Sequence, residues 1–196
     1  MSNFKYDLDR FLDCNKLSKN YINKILALLV FPGMQAVLSY RIRCWFARHK
    51  MGILEIIMLR IEEVVYGSSL LRYYGVQIGA GLYMPHPFGI VIGGATIGKN
   101  FTIAQHCTIG GKTPVGAFGV ESVSWYSNKR ITIGDWVFMG AGSCILGPVT
   151  IGDNVIIGAH SVITKNIPSD VMVSGIPARI IKQLKPITNQ ETIVKK

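Results

Sequence analysis

Ile133-Gly-Asp-Trp-Val-Phe-Met139-Gly-Ala-Gly-Ser-Cys-Ile145-Leu-Gly-Pro-Val-Thr-Ile151-Gly-Asp-Asn-Val-Ile-Ile157-Gly-Ala-His-Ser-Val-Ile163 places an aliphatic residue at every sixth position without a miss. The same step runs upstream through Ile78, Met84 and Ile90, and again through Ile97, Ile103 and Ile109. A glycine often follows, as at Gly79, Gly98, Gly110, Gly134, Gly140, Gly152 and Gly158. The fifth residue of each hexad is small or apolar: Leu82, Phe88, Phe101, Cys107, Val137, Ser143, Val149, Val155, Ser161. Helices repeat near 3.6 residues and two-faced strands at 2, so neither accounts for a strict six. A coil of short parallel strands does: each flat side takes one hexad, its aliphatic residue points inward, and successive coils stack on it.

The repeat breaks once. Between Ile109 and Ile133, residues 112–130 fit it poorly, and their glycines with Pro114 argue against continued strands. They read as a loop thrown out of the coil, with Trp125 and Tyr126 buried on a neighbouring subunit. The expected division is a helical region over 1–70, a coil domain over 71–185 and a basic tail over 186–196. In the first part, Ser18 is placed to cap a helix through Ile22, Ile25, Leu26, Leu29 and Val30, which Pro32-Gly33 ends. A second helix turns Met34, Val37, Leu38, Ile42, Trp45 and Phe46 inward and Arg41, Arg43, Arg48 and Lys50 largely outward, ending at Gly52. A third runs from Ile53 to Tyr66 and stops at Gly67.

Composition narrows the partners. The chain has 196 residues, 49% of them hydrophobic, with 21 Lys and Arg against 11 Asp and Glu, a net charge of +10. The excess favours anionic partners such as phosphates, acidic glycans or anionic lipid. Nucleic acid fits least, because no basic stripe with interleaved aromatics and no zinc-finger spacing occurs. Residues 1–24 mix acids and bases and lack the apolar core of a secretion signal, so a cytoplasmic protein is expected. The basic, apolar N-terminal helices suit a helical cap and oligomer contact, or a peripheral seat at the inner face of a membrane. Cys14, Cys44, Cys107 and Cys144 show no paired spacing and read as reduced thiols.

At this point the residues carry a family likeness. The hexads, the extruded loop and the closing stretches Gly158–Pro168 and Val173–Arg179 resemble hexapeptide-repeat acyltransferases. Pro85-His86-Pro-Phe-Gly-Ile-Val-Ile-Gly93 and Cys107-Thr-Ile-Gly-Gly-Lys112 resemble the serine acetyltransferase branch, as does Phe31–Ile42. The resemblance implies a mainly β chain: a left-handed parallel β-helix of hexapeptide repeats with an N-terminal α-helical region. It further implies a homotrimer with active sites between subunits, acetyl-CoA as co-substrate and no metal. The position of His86 is that of the family's catalytic base. The same likeness assigns CoA contacts to Gly110, Gly111, Ala141, Ala159, Thr164, Lys165, Arg179 and Lys182, with the three basic residues at the phosphates. A solvated basic surface is the plainer account of those three.

Moving acetyl from a thioester to a hydroxyl needs a base for the hydroxyl proton and donors for the oxyanion. Among four histidines, His49 sits in a basic helix, while His106 and His160 share one hexad position. His86, between two prolines, is the expected base, with His106 as the second candidate. Two positions depart from the serine acetyltransferase pattern. The orienting carboxylate fifteen residues before the base is Leu71 here, and a further histidine falls near Arg130. A backbone carbonyl, Glu121, Asp135 or the acceptor itself is left to orient His86. These departures move the expected acceptor from L-serine to a sugar hydroxyl of a surface polysaccharide or its precursor, with serine O-acetylation as the alternative. A zinc enzyme on the same coil is disfavoured, because the closely spaced histidine pair of that family is absent. A non-catalytic scaffold is the remaining competitor.

Overall fold

The computed structural model describes residues 2–71, 75–111 and 130–187. Four helices come first: α1 (Ser2–Cys14), α2 (Tyr21–Val30), α3 (Pro32–Arg48) and α4 (Gly52–Tyr66). Strands β1 (Ser69–Leu71), β2 (Gln77–Ile78), β3 (Val91–Gly93), β4 (Ala95–Ile97), β5 (Thr102–Ile103) and β6 (Thr108–Gly111) precede residue 112. After residue 130 come β7 (Ile131–Ile133), β8 (Phe138–Met139), β9 (Cys144–Gly147), β10 (Thr150–Ile151), β11 (Val155–Ile157), β12 (Val162–Ile163), β13 (Val171–Gly175) and β14 (Ala178–Gln183). They stack into three sheets, β1-β3-β6-β9-β12, β2-β4-β7-β10 and β5-β8-β11-β13-β14. Every pairing among them is parallel except β13 with β14, which closes the coil as a hairpin.

One turn of the coil visits each sheet once, so Cys144 lies beside Val162, eighteen residues on. The hexad residues fill the interior. Ile90, Ile103, Ile109, Met139, Ile145 and Ile157 have no solvent exposure at all. At about 25 cal/mol per Å² of apolar surface, this continuous aliphatic column is what holds the strands, which are too short to be stable alone. The fifth residues are buried as well, with one exception: Phe88 is 44% exposed. β6 stops at Gly111 and β7 starts at Ile131, where Ala95 pairs with Ile131, so the ladder continues across the interruption. The path of residues 112–129, with Trp125, Tyr126 and Glu121, lies outside the described residues.

Backbone amides at the corners are met by short side chains. Lys99 donates to Asp135 Oδ1 at 2.6 Å, Asp135 to Asp153 Oδ1 at 2.7 Å, and Asp153 to Ser169 Oγ at 2.9 Å. Asp135 is thereby a rung of the corner between the second and third sheets.

The helical region departs from the sequence expectation in several places. Asn20, not Ser18, caps α2, its side chain accepting from the Asn23 amide at 2.8 Å. Ser18 Oγ instead accepts from Asn23 Nδ2. Gly52 opens α4 rather than ending α3, whose last turn closes at His49, with Lys50 in the left-handed region at φ 58°. Arg43, expected outward, is buried, and Trp45, expected inward, is 42% exposed. Arg43 Nη2 donates to the Leu70 carbonyl at 2.5 Å, and Nη1 lies 3.5 Å from Glu62. Arg41 is also drawn in. It makes a two-pronged contact with buried Asp7 at 2.8 and 3.0 Å and donates to the carbonyls of Ile78 and Gly79. Asp7 in turn accepts from the Gly81 and Leu82 amides at 2.6 and 2.9 Å. Arg10 adds donors to the Gly81 and Phe101 carbonyls and to Thr102. These charges clip α1 and α3 onto the first turn of the coil. The coil itself starts at Ser69, two residues ahead of the expected boundary.

Candidate active site

His86 lies in the loop Pro85–Gly89, at the corner where the third sheet passes into the first. Its ring is exposed, and among the described residues it makes no hydrogen bond. The loop cannot hold itself. Pro85 and Pro87 have no N–H to donate, and each forces extended backbone on the residue before it. Support comes from outside. Fully buried Ser68 donates its hydroxyl to the Pro87 carbonyl at 2.5 Å and accepts from the Ile90 amide at 2.9 Å. Gly89 donates to the Tyr66 carbonyl at 3.2 Å, and the Tyr66 and Phe88 rings meet edge to face at 6.1 Å. On the other side, Gly33 in the first turn of α3 lies against the Met84 carbonyl so closely that a Cβ there would overlap it.

Two anchors secure that support. The left-handed Gly67 caps α4, its N–H donating to the Glu63 carbonyl at 2.9 Å. The Ser69 hydroxyl donates to Glu63 Oε1 at 2.6 Å. That hydrogen bond, followed by Arg60, holds the Glu63 carboxyl below its usual range. Sequence reading singles out His86 as the expected base through its flanking prolines and its family position. It missed Ser68 and Tyr66, whose partners lie about twenty residues away, and read Gly33 only as a breaker.

The other histidines are placed by the coil. His106 donates its amide to the Phe88 carbonyl at 2.9 Å and packs its imidazole under Gly89. His160 donates to the Ala141 carbonyl and packs under Gly142 in the same way. Both have left-handed φ, 58° and 54°. The repetition two coils apart marks this as a stacking device of the corner. Buried Cys107 points its thiol at the Gly140 carbonyl 3.2 Å away, and burial pushes that thiol up from its ordinary value, so it stays protonated.

The remaining expected site residues fall into three places. Ala141 and Ala159 continue the corner below Phe88 and Gln105, linked by successive amide bonds. Gly110 and Gly111 end β6, and Thr164 and Lys165 follow β12, at the opposite end of the first sheet. At about 3.3 Å per residue, a side of this sheet separates the two groups by roughly 10 Å. Arg179 and Lys182 stand exposed on β14 at the edge of the third sheet. A Cβ added to Gly110 would meet nothing within 4 Å, so open space lies beside it. Asp135, a candidate to orient His86, is occupied with the Lys99 amide at another corner.

His86, His106 and His160 are all exposed along this corner, and of the three only His86 lies on the loop framed by two prolines. Residues 130–165 match the family "Bacterial transferase hexapeptide (six repeats)". The chain is 30% identical to the serine acetyltransferase of Helicobacter pylori, over 92% of this chain and 98% of that protein. It is 31% identical to the serine acetyltransferase of Synechococcus elongatus, over 81% of this chain but only 61% of that relative's length. The serine acetyltransferase of Neisseria gonorrhoeae, solved in complex with serine, superposes with a TM-score of 0.74 at 28% identity, covering 91% of this chain and 67% of that one. The chain belongs to the serine acetyltransferase family, and its β-helix is of the left-handed kind.

Proposed function

We propose that this chain transfers acetyl from acetyl-CoA to a hydroxyl oxygen, with L-serine as acceptor and His86 as general base. The observation that carries the reading is an exposed imidazole on a loop gripped from two sides, in a chain whose relatives are serine acetyltransferases. His86 takes the hydroxyl proton as the oxygen attacks the thioester carbonyl. The tetrahedral oxyanion then collapses, the C–S bond breaks, and the CoA thiolate recovers a proton from the imidazolium. A positioned base of this type contributes about 10² to 10⁴ in rate.

For the donor, Ala141 and Ala159 leave the corner low enough for a pantetheine chain. Gly110 and Gly111 leave room for its thioester end, and Lys165, Arg179 and Lys182 meet its phosphates. Thr164 completes that edge. His86 and Gly110 lie at opposite ends of one sheet, which supports an active homotrimer in which the corner of one copy faces the edge of the next. The apolar side chains exposed on α2 and α4, among them Leu29, Ile53 and Val64, support burial against further copies.

A saccharide acceptor is the second reading. Leu71 and Arg130 stand where the family pattern has a carboxylate and a histidine, which removes part of the amino-acid recognition set. No relative compared above supports it by name. Thiol release from acetyl-CoA, measured with L-serine beside a panel of oligosaccharides and nucleotide sugars, separates the two. Turnover with serine alone is expected. Turnover with a sugar and none with serine transfers the assignment to the second reading.

A further inference from the structure

Nothing at Leu71 can do the work of a carboxylate, yet the base must still be held. Three features of the loop point to what holds it. First, residues 85–89 include two prolines, so the loop has few amides with which to hold itself. Second, one buried hydroxyl bridges both limbs of the loop: Ser68 Oγ donates to the Pro87 carbonyl and accepts the Ile90 amide. Third, that serine is immobilised by its neighbours. Gly67 caps α4 before it, and the Ser69–Glu63 hydrogen bond ties down the chain after it.

We propose that Ser68 is the positioning residue for His86, fixing the Pro85–Gly89 loop through the Pro87 carbonyl and Ile90 amide in place of a carboxylate on the imidazole. This rests on the reading of His86 as the base. A carboxylate would act on the ring directly, raising its basicity and fixing its rotation. Ser68 acts on the backbone that carries the ring. It restricts where the imidazole can reach and leaves the ring nitrogens to the acceptor. Removing the hydroxyl strands a carbonyl and an amide, both buried beneath the loop, and a backbone displaced by about 1 Å is enough to spoil attack geometry.

The experiment compares wild type, Ser68→Ala, Ser68→Cys and the control Ser18→Ala as full chains. Steady-state kcat and KM for acetyl-CoA are measured, together with the rate at which diethyl pyrocarbonate acylates His86, identified by its loss in His86→Ala. Ser68→Ala is expected to lower kcat about tenfold or more, with KM for acetyl-CoA within about twofold. It should also change the acylation rate of His86 severalfold. Ser68→Cys keeps the volume and a weak donor and falls between, while Ser18→Ala, whose exposed hydroxyl meets only Asn23 at the start of α2, stays near wild type in both readouts. A folded Ser68→Ala with unchanged kcat and unchanged His86 acylation overturns the proposal. If Ser68→Ala does not fold, Ser68→Cys decides: a severalfold loss of kcat supports the role, and wild-type kcat overturns it. If no acceptor turns over even in wild type, the acetyltransferase reading falls, and the acylation rates still decide whether Ser68 fixes His86.

Discussion

In the coil, Ile103, Ile109, Met139 and Ile145 fill the interior, and corner amides are met by short polar side chains. In the helical region the buried positions include Asp7, Arg43 and Glu62, while Ile53, Ile56, Ile61 and Val64 of α4 face outward. One region is held by a repeated apolar rung that needs no particular partner. The other adds, to an apolar core that includes Phe11, Leu12, Met34, Val37 and Tyr40, a few buried charges that each need a specific partner. The coil should therefore tolerate substitution in proportion to volume lost, and the helical region according to which charge is orphaned.

The sharpest way to break this contrast is at Asp7. Asp7→Ala strands Arg41 and two coil amides, and an orphaned buried charge costs about 3–5 kcal/mol. Chemical denaturation is expected to show that loss as an early detachment of the helices. In the coil, Ile145→Ala removes one rung and should cost about 2–5 kcal/mol in a single transition. Equal, cooperative losses from both variants would mean that the regions do not differ in this way. A third test uses acidity. Burial raises the Glu62 carboxyl above its usual value, with Arg43 opposing. The folded state then binds the proton more tightly than the unfolded one. Stability therefore falls as pH rises from the usual carboxylate value through the raised one. Glu62→Gln should flatten that stretch of the stability–pH curve, and an unchanged slope would assign it elsewhere. At the small end, Val64→Ser on the exposed face of α4 should shift the stability of the isolated chain by no more than about 0.5 kcal/mol. Light scattering on the same variant should report weaker assembly.

The same contrast governs what could be read from the sequence. The hexads gave the coil because a period of six has one structural explanation, and every aliphatic position proved buried. The helical region was readable as helices but not as packing. Amphipathic periodicity cannot foresee that Arg43 turns inward to the Leu70 carbonyl or that Trp45 turns out. Gly52 and Ser18 look like stop and start signals, yet Lys50 and Asn20 take those roles. At the candidate site, the expectation that His86 is the base rests on its proline frame and family likeness. Phe88 occupies a fifth position like buried Phe101, yet it is half exposed and meets Tyr66 edge to face. The Ser68 bridge was invisible, since no local pattern links a serine to a carbonyl nineteen residues later.

The central claim is that His86 is the base for acetyl transfer. The direct measurement is the rate of thiol release from acetyl-CoA with saturating L-serine, wild type beside His86→Ala, with calorimetric binding of CoA to both. A fall of about 10² to 10⁴ in kcat with CoA affinity retained is the predicted result. Turnover by His86→Ala within tenfold of wild type would contradict the account.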